Sequence, residues 1–197
     1  MNPDIYIEIF GAVTGLLYVY LEIGQRRVMW VLGGVSALAY IFIFLNVGLY
    51  AAMALQLYYL CASFYGWQKW KRRDNGEGAS MWTAEDSITV KMPVSTGVVS
   101  VAITVAGALF LWRGLYMVGS DPMPALDAVI AALSMMATYW VANKFIESWF
   151  IWIVANVLAV CMYLSQGLYP TAILYAVYIA ASVAGYLHWR KFRRVLQ

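Results

Sequence analysis

The chain has 197 residues, of which 63% are hydrophobic and 12% charged, and its mean hydropathy is +0.70. Soluble domains carry about 25% charged residues, so this composition excludes an ordinary soluble domain and indicates a membrane protein. The formal net charge of +3 belongs to loop residues, and we do not expect a nucleic-acid partner.

Turn signals divide the chain into seven predicted transmembrane helices. Residues 28–68 and 148–187 contain no Asp, Glu, Lys or Arg. Because a helix needs about 20 apolar residues to cross a bilayer, each of these stretches can hold two crossings. We therefore expect an all-α polytopic membrane protein. The predicted helices, in chain order, cover residues 5–23, 28–46, 49–69, 93–118, 124–143, 149–165 and 169–189.

The positions of the basic residues predict the orientation in the membrane. Lys and Arg are concentrated in cytoplasmic segments of bacterial membrane proteins. If the N-terminus lies outside, 12 of the 13 basic residues fall inside, and only Arg113 lies near the outer surface. We expect a chain that spans the lipid bilayer with its N-terminus outside and its C-terminus inside.

The sequence repeats itself at an offset of 119 residues. Residues 30–70 laid over 149–189 without gaps give 12 identities in 41 positions, and the match thins upstream. Three crossings reverse the direction of the chain and a fourth helix restores it, so the two copies have parallel orientation. Parallel repeats are typical of transporters whose substrate site lies near the midplane between the repeats. The identical pairs include Trp30/Trp149, Tyr59/Tyr178, Ser63/Ser182, Gly66/Gly185 and Trp70/Trp189.

This repeat predicts a 3+1+3 arrangement, in which a linker helix joins two triple-helix units. The first repeat takes residues 1–70, and a cytoplasmic loop takes residues 71–92. The linker helix takes 93–118, and the second repeat with its basic tail takes 119–197.

Polar and aromatic side chains at helical spacing predict a substrate cavity. The amides of Gln56 and Asn156 lie inside charge-free spans, where a polar group bridges helices or lines a cavity. Rings beside them suit a flat, cationic solute, since each contact contributes roughly 0.5–2 kcal/mol. The candidate substrate-binding residues are Gln56, Tyr59, Ser63, Asp127, Thr138, Trp149, Trp152, Asn156, Tyr163, Tyr175 and Tyr178.

Other interpretations of the same residue types stay open. Trp67, Trp70 and Trp189 lie near helix ends, where tryptophan usually anchors a helix at the membrane interface, and we expect them to do so. Ser63 is of a type that often packs helices together. Asp127 is a candidate for an ion path, for a bond to a helix end, or for a substrate contact.

Four motifs carry a resemblance to a known family. The segments "FYGWQKW", "LDAVIAALS", "ESWFIWIVANV" and "QGLY" resemble those of the PnuC family of bacterial vitamin transporters, over essentially the whole chain. The resemblance implies seven core helices in a 3+1+3 arrangement similar to the SWEET fold. It also implies facilitated uptake of an unphosphorylated vitamin across the bacterial inner membrane, after which a cytoplasmic kinase traps the vitamin. Trp152 and Asn156 match the family's substrate motif on helix 6, and Gln56 matches a glutamine on helix 3.

The resemblance favours nicotinamide riboside as the substrate and keeps thiamine as the alternative, because the fifth predicted helix lacks an expected glutamine. A SWEET-type sugar transporter is a more distant alternative. We expect no enzyme, catalytic residue, metal or cofactor, because the single histidine, His188, has no ligand partner and phosphate-binding motifs are absent. Oligomer formation is possible.

Overall fold

The computed structural model describes residues 3–47, 50–73, 89–119 and 122–191. All seven predicted helices are present, and their bounds agree with the expected ones to within a few residues. The helices are α1 Pro3–Ile23, α2 Val28–Val47, α3 Tyr50–Arg73, α4 Val94–Val118, α5 Pro124–Ala142, α6 Ser148–Ser165 and α7 Tyr169–Arg190.

The largest difference from the prediction concerns the loop expected at 71–92. Its first three residues are the last of α3, because Lys and Arg favour the helix and their charge is favourable at a helix C-terminus. Residues 74–88 of the expected loop lie outside the described residues, as do Gly48 and Leu49 of the first "GLY" motif.

Five of the described helices, α2, α4, α5, α6 and α7, are long and apolar enough to cross a membrane. The apolar part of α1 that is described runs over Gly11–Ile23 and is shorter. Helix α3 is rich in tyrosine and tryptophan and ends in basic residues, which lowers its hydropathy. The chain is therefore a multi-pass α-helical membrane protein.

The helices form two compact units, Met1–Ser87 and Ile88–Gln197. In the first unit, α2 packs against α1 and α3. In the second unit, α4 packs on α5, α5 on α6, and α6 on α7. Helix α4 has no buried side chain, and all of its residues are described, so its outer surface suits lipid.

The α1–α2 turn and the α5–α6 turn share one backbone geometry, 119 residues apart. The chain's described non-glycine residues with positive φ are Gln25 at 51° and Lys144 at 58°. The Arg26 N–H donates to the Leu21 carbonyl at 2.9 Å, and the equivalent Phe145 N–H donates to the Trp140 carbonyl at 3.0 Å. This hydrogen bond, made just after a left-handed residue, belongs to the Schellman type of helix end. The repeat therefore extends into a region where almost no sequence identity remains.

A pair of perpendicular tryptophans closes the α2–α3 pair of helices, and a second pair closes α6–α7. The ring centroids of Trp30 and Trp70 are 5.6 Å apart at 90°, and a Cβ on Gly66 would overlap the Trp30 ring. We call this arrangement the tryptophan–glycine lock of the first unit. Glycine is required because only a residue without Cβ lets the indole lie on the helix backbone.

The second unit repeats the lock with Trp149, Trp189 and Gly185. The Trp149 and Trp189 centroids are 5.4 Å apart at 90°, and a Cβ on Gly185 would overlap the Trp149 ring. Trp70 and Trp189 are both 0% exposed. Our expectation that these two anchor helices at the membrane interface is therefore wrong, since buried rings contact protein and not headgroups.

A short segment before α4, residues 89–92, crosses the ends of the other helices of the second unit. The Thr89 hydroxyl donates to the Trp189 carbonyl at 3.0 Å. The Val90 N–H donates to the Lys144 carbonyl at 3.0 Å, and the Met92 N–H donates to Glu147 Oε2 at 3.2 Å. This segment joins the α5–α6 turn to the end of α7.

Candidate functional site

The buried amide of Asn156 contacts α7. Asn156 is 6% exposed, and its Nδ2 donates to the Ser182 hydroxyl at 3.5 Å. That hydroxyl donates in turn to the Tyr178 carbonyl at 2.7 Å. The contact to Asn156 is at the long limit for a hydrogen bond, so the amide retains the capacity to bind a polar ligand.

A row of tyrosines joins α6 to α7. The rings of Tyr163 and Tyr175 are 5.1 Å apart and tilted by 36°, and those of Tyr175 and Tyr178 are 5.6 Å apart at 81°. The backbone carbonyl of Tyr178 accepts the Ser182 hydrogen bond, so the row of rings is connected to Asn156 through the backbone of α7. The structure thus brings together four of the predicted site residues: Asn156, Tyr163, Tyr175 and Tyr178.

Asp127 lies in the first turn of α5, near Tyr163. It is half-buried and acts electrostatically on Tyr163. A carboxylate in the first turn of a helix is stabilised by the helix dipole. A carboxyl group therefore lies within electrostatic range of one end of the tyrosine row.

Trp152 is placed one helical turn before Asn156, on the same face of α6. Its side chain is half-buried, unlike that of Trp149, which is 1% exposed. A half-buried indole beside a buried amide offers a flat apolar surface with a hydrogen-bonding edge. Such a surface suits an aromatic solute with polar substituents.

Two predicted site residues of the second unit make structural contacts. Trp149 forms the tryptophan–glycine lock described above. The Thr138 hydroxyl donates to the Ser134 carbonyl of its own helix at 2.8 Å, and Thr138 is 6% exposed. Trp149 thus holds α6 against α7, whereas Thr138 bonds within α5.

The first unit contains Gln56, Tyr59 and Ser63, all on α3. Gln56 and Tyr59 are half-buried, and the Tyr59 ring lies 5.5 Å from that of Tyr58 in a T-shaped arrangement. Ser63 is 7% exposed and lies beside Gly33 of α2. These residues form a second polar and aromatic surface, within their own unit.

Ser182 contacts Asn156 but was absent from the predicted site residues. The repeat supplied the signal that would have found it, because Ser182 is the counterpart of Ser63. Among the described residues, no group of three or more His, Cys, Asp or Glu side chains is placed to hold a metal ion.

An apolar groove lies between α4 and α5. The hydroxyl of Thr104, its most polar lining group, already donates to the Ser100 carbonyl at 2.8 Å. The groove therefore suits a lipid chain better than a polar vitamin. Its lining residues are Thr104, Val105, Ala108, Leu109, Trp112, Ala125, Val129 and Leu133.

The sequence matches a family model almost from end to end. The model for the nicotinamide mononucleotide transporter family matches residues 5–191. The nicotinamide riboside transporter PnuC of Escherichia coli (strain K12) is 25% identical over 202 residues, which cover 93% of this chain and 84% of that protein. The nicotinamide riboside transporter PnuC of Neisseria mucosa is 28% identical over 199 residues, with 96% and 74% covered.

A solved structure agrees in fold and in sequence. The crystal structure of the vitamin B3 transporter PnuC superposes with a TM-score of 0.73 and 27% sequence identity. The superposition covers 97% of this chain and 83% of that one. The likeness therefore extends over all seven helices and is not limited to one unit.

Proposed function

The chain belongs to the nicotinamide mononucleotide transporter family, and we propose that it imports nicotinamide riboside by facilitated diffusion. The observation that carries the proposal is the buried Asn156 amide, which retains binding capacity one turn from the half-buried Trp152. Two relatives are nicotinamide riboside transporters, which favours this vitamin over the thiamine that the sequence left open.

The charge pattern favours the riboside over its phosphorylated form. A phosphate dianion in a membrane site needs Arg or Lys partners, and the segment 148–187 of α6 and α7 contains no charged residue. A pyridinium ring can instead stack on the aromatic rings of Trp152, Tyr175 and Tyr178. Cation–π attraction there contributes roughly 0.5–2 kcal/mol per contact. Asn156 would hydrogen-bond the carboxamide or the ribose.

In this proposal, α1–α3 and α5–α7 are the two repeats of a 3+1+3 carrier with its N-terminus outside, in the bacterial inner membrane. The vitamin moves down its gradient, and a cytoplasmic kinase traps it by phosphorylation. Gln56, Tyr59 and Ser63 of the first unit contribute further contacts to the vitamin. Asp127 contributes negative charge that attracts a cationic substrate.

Titration calorimetry of the detergent-purified chain tests the binding part of the proposal. The ligands are nicotinamide riboside, nicotinamide mononucleotide, thiamine and riboflavin. We expect the riboside to bind and the Asn156→Ala variant to weaken it by about tenfold or more, since an unmet buried polar group costs about 1–3 kcal/mol. The matched control is Asn46→Ala, whose amide is exposed and bonds its own helix. Tight binding of the mononucleotide, or equal loss in both variants, would contradict the proposal.

Flux into proteoliposomes tests facilitated diffusion. We expect the internal riboside concentration to stop rising when it equals the external one. Enclosed kinase and ATP should then drive further uptake. Accumulation under a proton gradient without the kinase would contradict the facilitator, and Asp127→Asn would then be the variant to examine.

A further inference from the structure

The repeat register can be followed upstream of the identical residues, because the two turns share their hydrogen bonds 119 residues apart. In that register Tyr18 of α1 corresponds to Ala137 of α5, and Gly33 of α2 corresponds to Trp152 of α6. The large aromatic residue and the small residue have exchanged helices between the two units. A ring is retained in each unit, but on a different helix.

The structure shows that Tyr18 fills the place of the missing side chain at Gly33. A Cβ built on Gly33 would lie 3.0 Å from Cε2 of Tyr18 and 3.1 Å from Oγ of Ser63. One edge of the Tyr18 ring therefore lies against the position that a side chain at residue 33 would take. In the second unit the corresponding residues are Ala137, which is 0% exposed, and Trp152.

The surroundings of the two rings are also related by the repeat. Tyr59 and Ser63 of the first unit correspond to Tyr178 and Ser182 of the second. The Tyr18 hydroxyl lies within electrostatic range of the buried Glu22 of its own helix and of Tyr59 and Tyr58 of α3. As whole residues, Tyr18 and Trp152 are both half-buried.

We propose that Tyr18 is a substrate-contacting residue and that its ring is the first unit's counterpart of Trp152. This assignment rests on the proposed function, in which Trp152 binds the aromatic ring of the vitamin. A space that only had to be filled would accept an aliphatic side chain. An aromatic ring in each unit, at positions where the repeat pairs it with a small residue, points to recognition of a flat, cationic ligand.

Binding of nicotinamide riboside to the full chain in detergent tests the assignment, with Tyr18→Leu, Tyr18→Phe and wild type compared. Leucine keeps much of the apolar volume and removes the ring, whereas phenylalanine keeps the ring. We expect Tyr18→Leu to bind at least tenfold more weakly and Tyr18→Phe to bind within about threefold of wild type. The control is Tyr20→Leu, since Tyr20 is on the same helix but 60% exposed.

A double variant, Tyr18→Ala with Gly33→Trp, copies the arrangement of the second unit into the first. We expect it to bind the riboside more tightly than Tyr18→Ala alone, which a purely structural role would not require. The thermal unfolding midpoint of every variant is measured beside its affinity.

Two results separate the two proposals. Unchanged affinity in Tyr18→Leu, with wild type binding the riboside, would overturn the assignment of Tyr18 alone. No binding of any vitamin by the wild type would overturn the proposed function and the assignment together. Equal loss in Tyr18→Leu and Tyr20→Leu would also overturn the assignment.

Discussion

The α2–α3 pair and the α6–α7 pair have the same packing but different polar groups. Both are closed by a tryptophan–glycine lock of nearly identical geometry. The residues differ one and two helical turns after the first tryptophan of each lock. There Gly33 and Ala37 of α2 correspond to Trp152 and Asn156 of α6. The shared lock residues therefore belong to the architecture, and the positions that differ carry the indole and the amide of the candidate site.

The largest expected effect comes from removing a ring of either lock. We expect Trp30→Ala and Trp149→Ala to destabilise the protein by similar amounts, about 3–5 kcal/mol, because each leaves a cavity. Thermal unfolding in detergent, followed by the loss of monodisperse protein, measures the change. A large loss in one variant and none in the other would show that the two locks are not equivalent.

Filling the glycine of each lock should have the next largest effect. We expect Gly66→Ala and Gly185→Ala each to lower stability by about 1–3 kcal/mol, because the added methyl group overlaps a tryptophan ring. The matched control is Gly107→Ala in α4, where nothing lies within 4 Å of a new Cβ. That control should be neutral or slightly stabilising, since alanine favours the helix. Stable variants at both lock positions would contradict the close packing.

Ser63 and Ser182 occupy equivalent places, and Ser182 accepts a hydrogen bond from the Asn156 amide. We expect Ser182→Ala to weaken riboside binding by about 0.5–1.5 kcal/mol, which is roughly two- to tenfold, because Asn156 loses its hydrogen-bond partner. Ser63→Ala should have a smaller effect, since Ala37 stands where Asn156 would be. Calorimetric titration of both variants measures the difference, and equal losses would remove the distinction.

The smallest expected effect concerns the left-handed turn residue Gln25. Replacing it with glycine relieves about 1–2 kcal/mol of backbone strain and costs about 0.5–1 kcal/mol of chain entropy. The Gln25 side chain is 4% exposed, and its amide atoms have no hydrogen-bond partner among the described residues. We therefore expect Gln25→Gly to raise stability by roughly 0.5–1 kcal/mol, measured by thermal unfolding. A decrease would mean that the buried amide contributes contacts of its own.

The seven helices could be predicted because a helix that crosses a membrane needs a long apolar run, which is easily recognised in the sequence. The lock residues could be paired by the repeat, yet their role could not be read from it. A tryptophan near a helix end looks the same whether it meets headgroups, as we expected of Trp189, or a glycine on a neighbouring helix. That distinction depends on contacts between helices, which spacing along a single helix does not contain.

The candidate site was predictable to a similar extent. A buried amide in a charge-free span singled out Asn156, but its contact with Ser182 required the packing of α7 on α6. Tyr18 was missed because the repeat was found by searching for identical residues. At Tyr18 and Gly33 the large and the small residue are exchanged relative to Ala137 and Trp152, so neither position gives an identity.

The 89–92 segment has a consequence for how the chain is made. The Thr89 hydroxyl, buried in the finished protein, donates to the carbonyl of Trp189, a residue synthesised 100 positions later. The Val90 N–H likewise donates to the carbonyl of a residue synthesised later, Lys144. Since helices leave the ribosome in order, Val90 can form its hydrogen bond once the α5–α6 turn has been made, whereas Thr89 can form its own only after the end of α7 has followed. The second unit is thus completed when its last helix packs against its first residues.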